Sequence, residues 1–526
     1  MSEYPPTPEQ QAAIEIAKSG QTMKLLAFAG AGKTSTLIFV AKALGKLGKK
    51  GLYLAFNKDI ATEANSKMPN NVRAKTFHSM ALSQMPAYKK RLEKEFPFAE
   101  FVRRFNIEPL GFYVKNGEEH GFFDKNKIIV LSEAAQKNLI DRTLVKFYTD
   151  PEDGVDAPKE EHMLAAIEEP DFQWVVSPED AKAICNELMP VVRDLWADFS
   201  NPEGEIGLAG RHDVYLKMWA MSKPQLDTDF ILFDEAQDAD PIMTTVLTSQ
   251  KCQVIYVGDP YQQIYSFRGA LNVMQMLDAP QAELTQSFRF GHELAMQCQP
   301  ILNALGCKSE IRGLFDKPTK VFKRTPETEE EIKSIQAILC RTNTEAVSLT
   351  IESVKKMRER GGSEHDLILP LNISLKETKE MMFAIAKLCK APCDHPKLVG
   401  FRNFKELKKY ADHCPKDTDI SPFVRMFCTV GMGKVMDTIN MVENIDPATH
   451  KGPVVTTAHR SKGLEWDNCL LAEDMAAVWE EADVNDPETL SDDELRLLYV
   501  AITRAKKNIW LGEVSWFLDE LERVYK

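Results

Sequence analysis

Short apolar runs recur along the chain, each closed by a polar or glycine-rich break, with helical-period stretches between them. KLLAFAG at 24–30 is the first, and its length and continuity predict a buried strand. Before it, EQQAAIEIAKS at 9–19 places Ala13, Ile14 and Ala17 at helical spacing. After it come GAGKT and STLIFVAKALGKL, whose apolar and small residues recur at helical intervals, and then GLYLAF at 51–56, a second buried strand. Strand, glycine loop, helix, strand is the rhythm of a parallel α/β unit. The rhythm breaks between about 90 and 220, where KKRLEKEFPFAEFVRRF, the turn-like GEEHG and SPEDAKAICNELMPVVRDLWADF, a helix capped by Ser177, predict an inserted, mainly helical segment. It returns at FILFDEAQDAD and CQVIYVGDP, two apolar strands that each end in a carboxylate-bearing loop.

A second α/β unit is predicted from IQAILCRTN (335–343) and GPVVTTAHRSKG (452–463), separated by about a hundred residues rich in Lys, Gly and Pro. Residues 471–495 carry ten acids and no base, which predicts a solvated loop before the helix-like DELRLLYVAITRAKK. The expected plan is therefore two α/β units, each interrupted. The first is 1–90 with 220–285, around an insertion at 91–219; the second is 286–350 with 450–526, around an insertion at 351–449.

Composition narrows the picture only a little. With 526 residues, 27% of them charged, and 27 Phe, 12 Tyr and 7 Trp, the chain is neither disordered throughout nor fibrous. Its net charge of -13 argues against a surface that traps polyanions everywhere, and leaves room for a local basic groove. The opening MSEYPPTPEQQ lacks a basic segment followed by an apolar one, and no run approaches about eighteen apolar residues, so a soluble, cytoplasmic protein without membrane contact is expected. Ten dispersed cysteines fit free thiols in a reducing compartment. The loose group Cys389, Cys393, His395, His413 and Cys414 lacks the close pairs of a structural zinc site and is read as unliganded.

The chemistry lies at the strand ends. GAGKT follows a predicted strand and opens a predicted helix, the context in which glycines let backbone N–H groups converge on phosphates and Lys33 adds a point charge. The full pattern wants a glycine five residues before Gly32, where this chain has Ala27. Asp234 and Glu235, adjacent at the end of an apolar strand, suit one carboxylate for Mg²⁺, through water or Thr34, and one to polarise an attacking water. Asp238 and Asp240 divide evenly between function and surface. In GDPYQQIYSFRGA, an amide such as Gln262 suits a γ-phosphate sensor, and Tyr265 and Phe267 either stack on exposed bases or pack beneath the loop.

With these pieces in place, the sequence resembles the UvrD/Rep-like branch of superfamily 1 DNA helicases. The likeness is carried in order by EQQAAI, GAGKT, TFHSM, DEAQD, GDPYQQIYSFRGA, QSFRF, TTAHRSKGLEWDNCLL and LLYVAITRAKK. It implies an α/β fold of two RecA-like P-loop motor domains, ATP in the cleft between them, and single-stranded DNA across the top, tracked from 3′ to 5′. It places an adenine-side glutamine at Gln10 and the phosphate loop at Ala29, Gly30, Ala31, Gly32, Lys33, Thr34 and Ser35. The magnesium acid falls at Asp234, with Thr34 beside it, the water-activating acid at Glu235 and the γ-phosphate sensor at Gln262. An adenine-stacking ring falls at Phe288, a sugar-contacting glutamate at Glu465, and two phosphate-facing arginines at Arg289 and Arg504. Closure of the cleft would bring those arginines onto the transferring group, tying hydrolysis to domain motion.

The same resemblance puts Thr76, Phe77, His78, Tyr265, Phe267, Arg268, Thr457 and His459 on the DNA face, with a core position as the alternative for Phe77 or His78 and a structural hydrogen bond for His459. The basic runs at Lys89, Lys90, Arg91 and Lys94, at Lys355, Lys356, Arg358 and Arg360, and at Lys405, Lys408 and Lys409 read more readily as solvated helix faces than as DNA clamps. The implied activity is an ATP-dependent, monomer-competent helicase acting on single-stranded DNA and single/double-strand junctions, with replication or recombination proteins as partners. It would be nucleoid-associated in a bacterium, or in host cytoplasm for a virus. A translocase that strips proteins from single-stranded DNA shares every motif; a non-catalytic scaffold would need a decayed catalytic set, and this set is intact.

Overall fold

The computed structural model describes residues 4–55, 58–114, 127–152, 156–168, 177–264, 272–360, 367–391, 393, 395, 397–398, 401–413, 420–446 and 449–525. Two parallel six-stranded sheets organise them. The chain opens with the helix Pro8–Lys18, started by a reciprocal cap between Thr7 and Gln10 with a proline in its first turn. Strands β1 (Met23–Ala27), β2 (Gly51–Ala55) and β3 (Val72–Thr76) follow, with the helix Lys33–Lys46 between the first two. An antiparallel hairpin, β4 (Leu110–Val114) and β5 (Lys127–Leu131), then stands among the helices of the first insertion. Strands β6 (Phe230–Phe233), β7 (Gln253–Gly258) and β8 (Gln281–Leu284) complete the first sheet in the order β3-β2-β6-β7-β1-β8.

Every position of β2, β6 and β7 is buried, as expected of parallel strands covered on both faces. Alternation sorts those side chains into two cores. Tyr53, Leu232, Ile255 and Val257 join a core shared with the helices of both sheets, whereas Leu52, Leu54, Ile231, Phe233 and Tyr256 join one built with Leu139, Val192, Trp196 and Trp219. The first insertion is thus packed onto the sheet. Its long helix Pro178–Ser200 is capped by Ser177, as its sequence predicts.

Beyond β9 (Gln286–Gly291) and β10 (Arg312–Leu314), which pair with each other, the second sheet comprises β11 (Lys320–Phe322), β12 (Ala337–Cys340), β13 (Leu369–Pro370), β14 (Val454–Thr457), β15 (Trp466–Leu471) and β16 (Ala505–Trp510). Its order is β11-β16-β15-β12-β14-β13. The edge strand β13 falls inside the stretch expected to be inserted: two residues are too short a run for apolar periodicity to register. The helices Leu375–Leu388, Phe404–His413, Ser421–Thr429 and Met432–Glu443 then enclose a separate core around Met381, Ile385, Leu407 and Ile439.

Most acids of the stretch 471–495 are exposed, as expected of a solvated segment, but Asp474 and most apolar residues between the acids are not. Asp474 is largely buried and accepts the backbone N–H groups of Arg341 and Thr342 at 3.0 and 2.9 Å, and Trp479 stacks on Phe517 with ring centroids 4.0 Å apart. Asp474 thus closes the end of β12, and apolar residues such as Met475 and Trp479 anchor the segment. Among the described residues no helix is long and apolar enough to cross a membrane.

Candidate active site

The end of β1 feeds a glycine loop into the helix Lys33–Lys46. Gly30 and Gly32 have φ of 72° and 79°, left-handed values that glycine adopts without strain. A Cβ on Gly30 would lie 2.6 Å from that of Arg289 and 2.7 Å from Ser287 Oγ, so the loop passes β9 with no room for a side chain. Gly32 precedes the helix without any side-chain cap, which leaves the first-turn N–H groups and the positive end of the helix dipole to an incoming anion. Ala29 and Ala31 are buried, and Thr34 and Ser35 are exposed at the start of the helix. Ala27, the departure from the usual loop pattern, is the last residue of β1 and pairs with Leu284; it belongs to the strand, where a Cβ is accommodated.

Asp234 and Glu235 lie just beyond β6. Tyr53 Oη donates to Asp234 Oδ2 at 2.7 Å, and the Glu235 N–H donates to Asp234 Oδ1 at 2.9 Å. Glu235 itself has φ of 53°, an uncommon value for a residue with a side chain. Its oxygens meet Lys33 Nζ at 3.3 Å and Gln237 Nε2 at 2.6 Å. Burial raises the pKa of Asp234, and the Glu235 charge beside it adds to the effect. At Glu235 burial works in the same sense but is outweighed by Lys33, Lys462 and Gln237, so its pKa is depressed. Neighbouring carboxylates pushed apart in this way suit different tasks. An acid whose charge burial disfavours despite the nearby Lys33 ammonium, together with an exposed threonine at the start of the phosphate-loop helix, fits a divalent cation carried in with a phosphate chain.

The second sheet completes the site. Arg504, fully buried just after the helix Asp492–Ile502, donates to Gln262 Oε1 at 3.3 Å and to the carbonyl oxygens of Val500 and Leu464. Burial, with the Arg289 charge next in importance, pulls its pKa down to about 9. Arg289 on β9 donates to Glu465 Oε2 at 2.7 Å and to the Thr503 carbonyl at 3.0 Å. Burial disfavours the Glu465 charge, but Arg289 and Lys506 prevail and lower its pKa. Phe288 is 41% exposed and its ring edges the position a Cβ on Gly32 would take, at 3.6 Å. Gln10 lies at the same corner, its Oε1 accepting the Thr7 N–H and its Nε2 donating to Thr36. Gln10, the loop, the acids, Gln262, Phe288, Arg289, Glu465 and Arg504 therefore converge on one cleft.

Four participants are missing from the sequence expectations. Gln237 joins Glu235 to the backbone N–H of Asp259, 3.0 Å from its Oε1; Asp259 accepts Gln262 Nε2 at 2.6 Å. Tyr53 holds Asp234, and Tyr499 reaches the phosphate loop from the second sheet. Gln237, Asp259 and Tyr499 each stood inside a motif without a role assigned to them; Tyr53, in the middle of a predicted strand, needed the fold. Asp238, evenly divided between function and surface on sequence, is buried and ion-paired with Lys462, which also donates to the Gln262 carbonyl at 2.8 Å.

The described residues of the expected nucleic-acid face have different surroundings. Phe77 is a correction: it is 2% exposed, edge-on to Phe233 at 5.6 Å and to Trp219 at 6.2 Å, and so belongs to the core beneath the surface. Thr76 caps the helix Phe77–Gln84, with Ser79 completing the reciprocal pair. His78 is half-buried against His212 and Tyr215, and burial lowers its pKa. Thr457 is buried and accepts the Arg460 N–H at 3.3 Å, while His459 is half-buried in the following turn. Tyr265, Phe267 and Arg268 lie outside the described residues. Of the basic runs, Arg91 is buried on Asp198 and the carbonyls of Ile206 and Asn201, a structural role, and Lys355 and Lys356 face glutamates one helical turn away.

Two comparisons bear on this arrangement. Residues 10–268 match a family model described as an AAA domain, and residues 438–515 match the UvrD-like helicase C-terminal domain. F-box DNA helicase 1 of Gallus gallus is 29% identical over 547 residues, covering 98% of this chain and 49% of the relative. F-box DNA helicase protein 1 of Schizosaccharomyces pombe is 27% identical over 552 residues, covering 98% of this chain and 58% of that protein. The chain thus spans about half the length of the curated relatives it matches.

Proposed function

The chain belongs to the UvrD-like helicases, and from that premise we propose that it is an ATP-driven motor that moves along single-stranded DNA and separates the duplex ahead. The observation that carries the proposal is the meeting of Arg504, from the second sheet, with Gln262, beside the acids of the first. Two halves of one hydrolytic site on separate sheets make hydrolysis depend on how the sheets approach each other.

The residues divide the work. The loop N–H groups and Lys33 bind the phosphate chain, Phe288 and Gln10 hold the base, and Glu465 orients the sugar. Magnesium, when bound with the nucleotide at Asp234 and Thr34, supplies charge neutralisation at the phosphates. Glu235, held ionised by Lys33 and Lys462, takes the proton of the attacking water. Arg289 and Arg504 stabilise negative charge on the transferring group and are withdrawn when the cleft opens.

Homologues named DNA helicases support DNA as the track. Stepping from 3′ to 5′, single-strand and junction binding, action as a monomer, cooperation with replication or recombination proteins, and a cytoplasmic location without membrane contact complete the proposal. Strand separation on duplexes bearing a 3′ tail, a 5′ tail or blunt ends tests it, with ATP turnover and streptavidin displacement read in parallel. Unwinding of the 3′-tailed substrate is expected. Unwinding confined to the 5′-tailed substrate would reverse the polarity, displacement without unwinding would make the protein a stripping translocase, and turnover indifferent to DNA would end the motor proposal.

A further inference from the structure

Tyr499 is wholly buried on the helix Asp492–Ile502, five residues before Arg504. Its hydroxyl accepts the Ala29 N–H of the phosphate loop at 3.2 Å and donates to Asp259 Oδ2 at 3.3 Å. Burial, with the nearby Asp259 charge, raises the phenol pKa far above its ordinary value, so the O–H proton is in place and the oxygen has a lone pair for Ala29. The same Asp259 oxygen accepts Gln262 Nε2 at 2.6 Å, and Gln262 Oε1 accepts from Arg504 at 3.3 Å.

The chemistry of those neighbours allows one arrangement of the Gln262 amide. A carboxylate only accepts and a guanidinium only donates, so the NH₂ end must face Asp259 and the oxygen must face Arg504. One short piece of chain, 499–504, therefore grips the phosphate loop at one end and orients the sensor amide at the other. Arg504 leaves its partner if it moves to a phosphate. Tyr499, without a charge and with both hydrogen-bonding functions used, is the part that stays.

We infer that Tyr499 is a positioning residue that ties the phosphate loop, Asp259 and Gln262 to the helix carrying Arg504, so that loop geometry and sensor orientation are set together. This rests on the proposed ATP-driven function, in which Gln262 reads the γ-phosphate. It acts through other groups and touches no reacting atom. Phe keeps the packing of the ring and removes both hydrogen bonds, leaving a buried N–H and a buried carboxylate oxygen each one partner short.

The test compares Tyr499→Phe with the parent chain. Hydrogen exchange of a peptide spanning residues 28–35 should speed up by roughly tenfold for one protected amide, while the melting transition moves by only a few degrees. DNA-stimulated kcat should fall about tenfold, with the Kd for a fluorescent ADP analogue within about threefold of the parent. In a Gln262→Ala background, Tyr499→Phe should lower kcat no further, because its effect passes through that amide. Unchanged exchange at 28–35 would overturn the inference, as would additive kcat losses, or a parallel fall in nucleotide affinity and melting temperature. A parent protein that hydrolyses no ATP on DNA would instead end the motor proposal, and the exchange measurement would still judge Tyr499.

Discussion

Arg504 and Gln262, 242 positions apart in sequence, meet at 3.3 Å inside the protein, where the guanidinium has no contact with bulk water. A buried guanidinium whose donors are spread over Gln262, Thr503, Val500 and Leu464 is held by its planar fork, which a lysine cannot reproduce.

Arg504→Lys should therefore behave much like Arg504→Ala. Both are expected to lower DNA-stimulated kcat by about a thousandfold, the scale on which an arginine acts on a transferring phosphoryl group, with KM for ATP changed far less. Steady-state ATP hydrolysis decides it. A lysine variant within tenfold of the parent would show that charge alone suffices.

The contacts at Lys33 and Glu235 predict different losses. Lys33→Ala removes a phosphate-binding charge and leaves Glu235 without its nearest cation, so nucleotide affinity and turnover should both collapse. Glu235→Gln keeps the shape and the loop, so kcat should drop by roughly two to three orders of magnitude while ATP binding stays near the parent value. Equilibrium binding of ATP alongside turnover separates the two, and brisk turnover by Glu235→Gln would remove this residue from the role of base.

Much of the frame was legible because buried parallel strands leave a local signature. KLLAFAG, GLYLAF, FILF and QVIYVG each coincide with a strand of the first sheet, and the loops that follow KLLAFAG, FILF and QVIYVG carry chemistry. What the sequence could not expose are pairings between distant segments. Tyr499 with Ala29, Lys462 with Asp238, and Arg341 with Glu494 each join residues more than a hundred positions apart, and no periodicity encodes such a pairing. Phe77 failed for another reason: an aromatic letter in a motif fits a base-stacking surface and a core equally well, and only Trp219 and Phe233 around it distinguish them.

Phe77 accordingly yields a stability prediction. Truncation to Ala should cost about 3–5 kcal/mol, as for a large aromatic removed from a well-packed core. Phe77→Leu should cost less and leave single-stranded DNA affinity within about twofold of the parent once the folded fraction is matched. Denaturant titration and fluorescence anisotropy with a labelled oligonucleotide measure the two quantities. A selective loss of DNA affinity in a fully stable leucine variant would return the ring to the DNA face.

The Asp238–Lys462 pair predicts that two substitutions are milder than one. Asp238 is largely buried, and burial already pushes its pKa up to about 6 despite the lysine. Lys462→Ala strands this acid, and breaking a buried pair in that way typically costs about 3–5 kcal/mol. Adding Asp238→Asn removes the stranded charge, so the double variant should recover part of the stability at pH 7.5. Thermal unfolding of the two proteins side by side settles the order, and a double variant less stable than Lys462→Ala would contradict it.

Glu345 offers the cleanest dependence on pH. It is about half-buried near Asp474, Glu473 and Glu352; burial first, and then those like charges, raise its pKa from 4.5 to about 7. Because the folded-state value exceeds the unfolded one, the native protein holds this proton over a window in which the unfolded chain has released it. Stability from this group is therefore fully present below about pH 4.5 and is lost as pH rises toward 7. Glu345→Gln removes the ionisation while keeping the shape. At pH 8 it should raise the melting transition by roughly 1–2 °C, a size discounted for the solvent that still reaches the group, and at pH 4.5 it should change nothing. Melting curves of parent and variant across that range test the sign directly: an advantage for glutamine at pH 4.5 that vanishes at pH 8 would show that the carboxylate is stabilised by its surroundings.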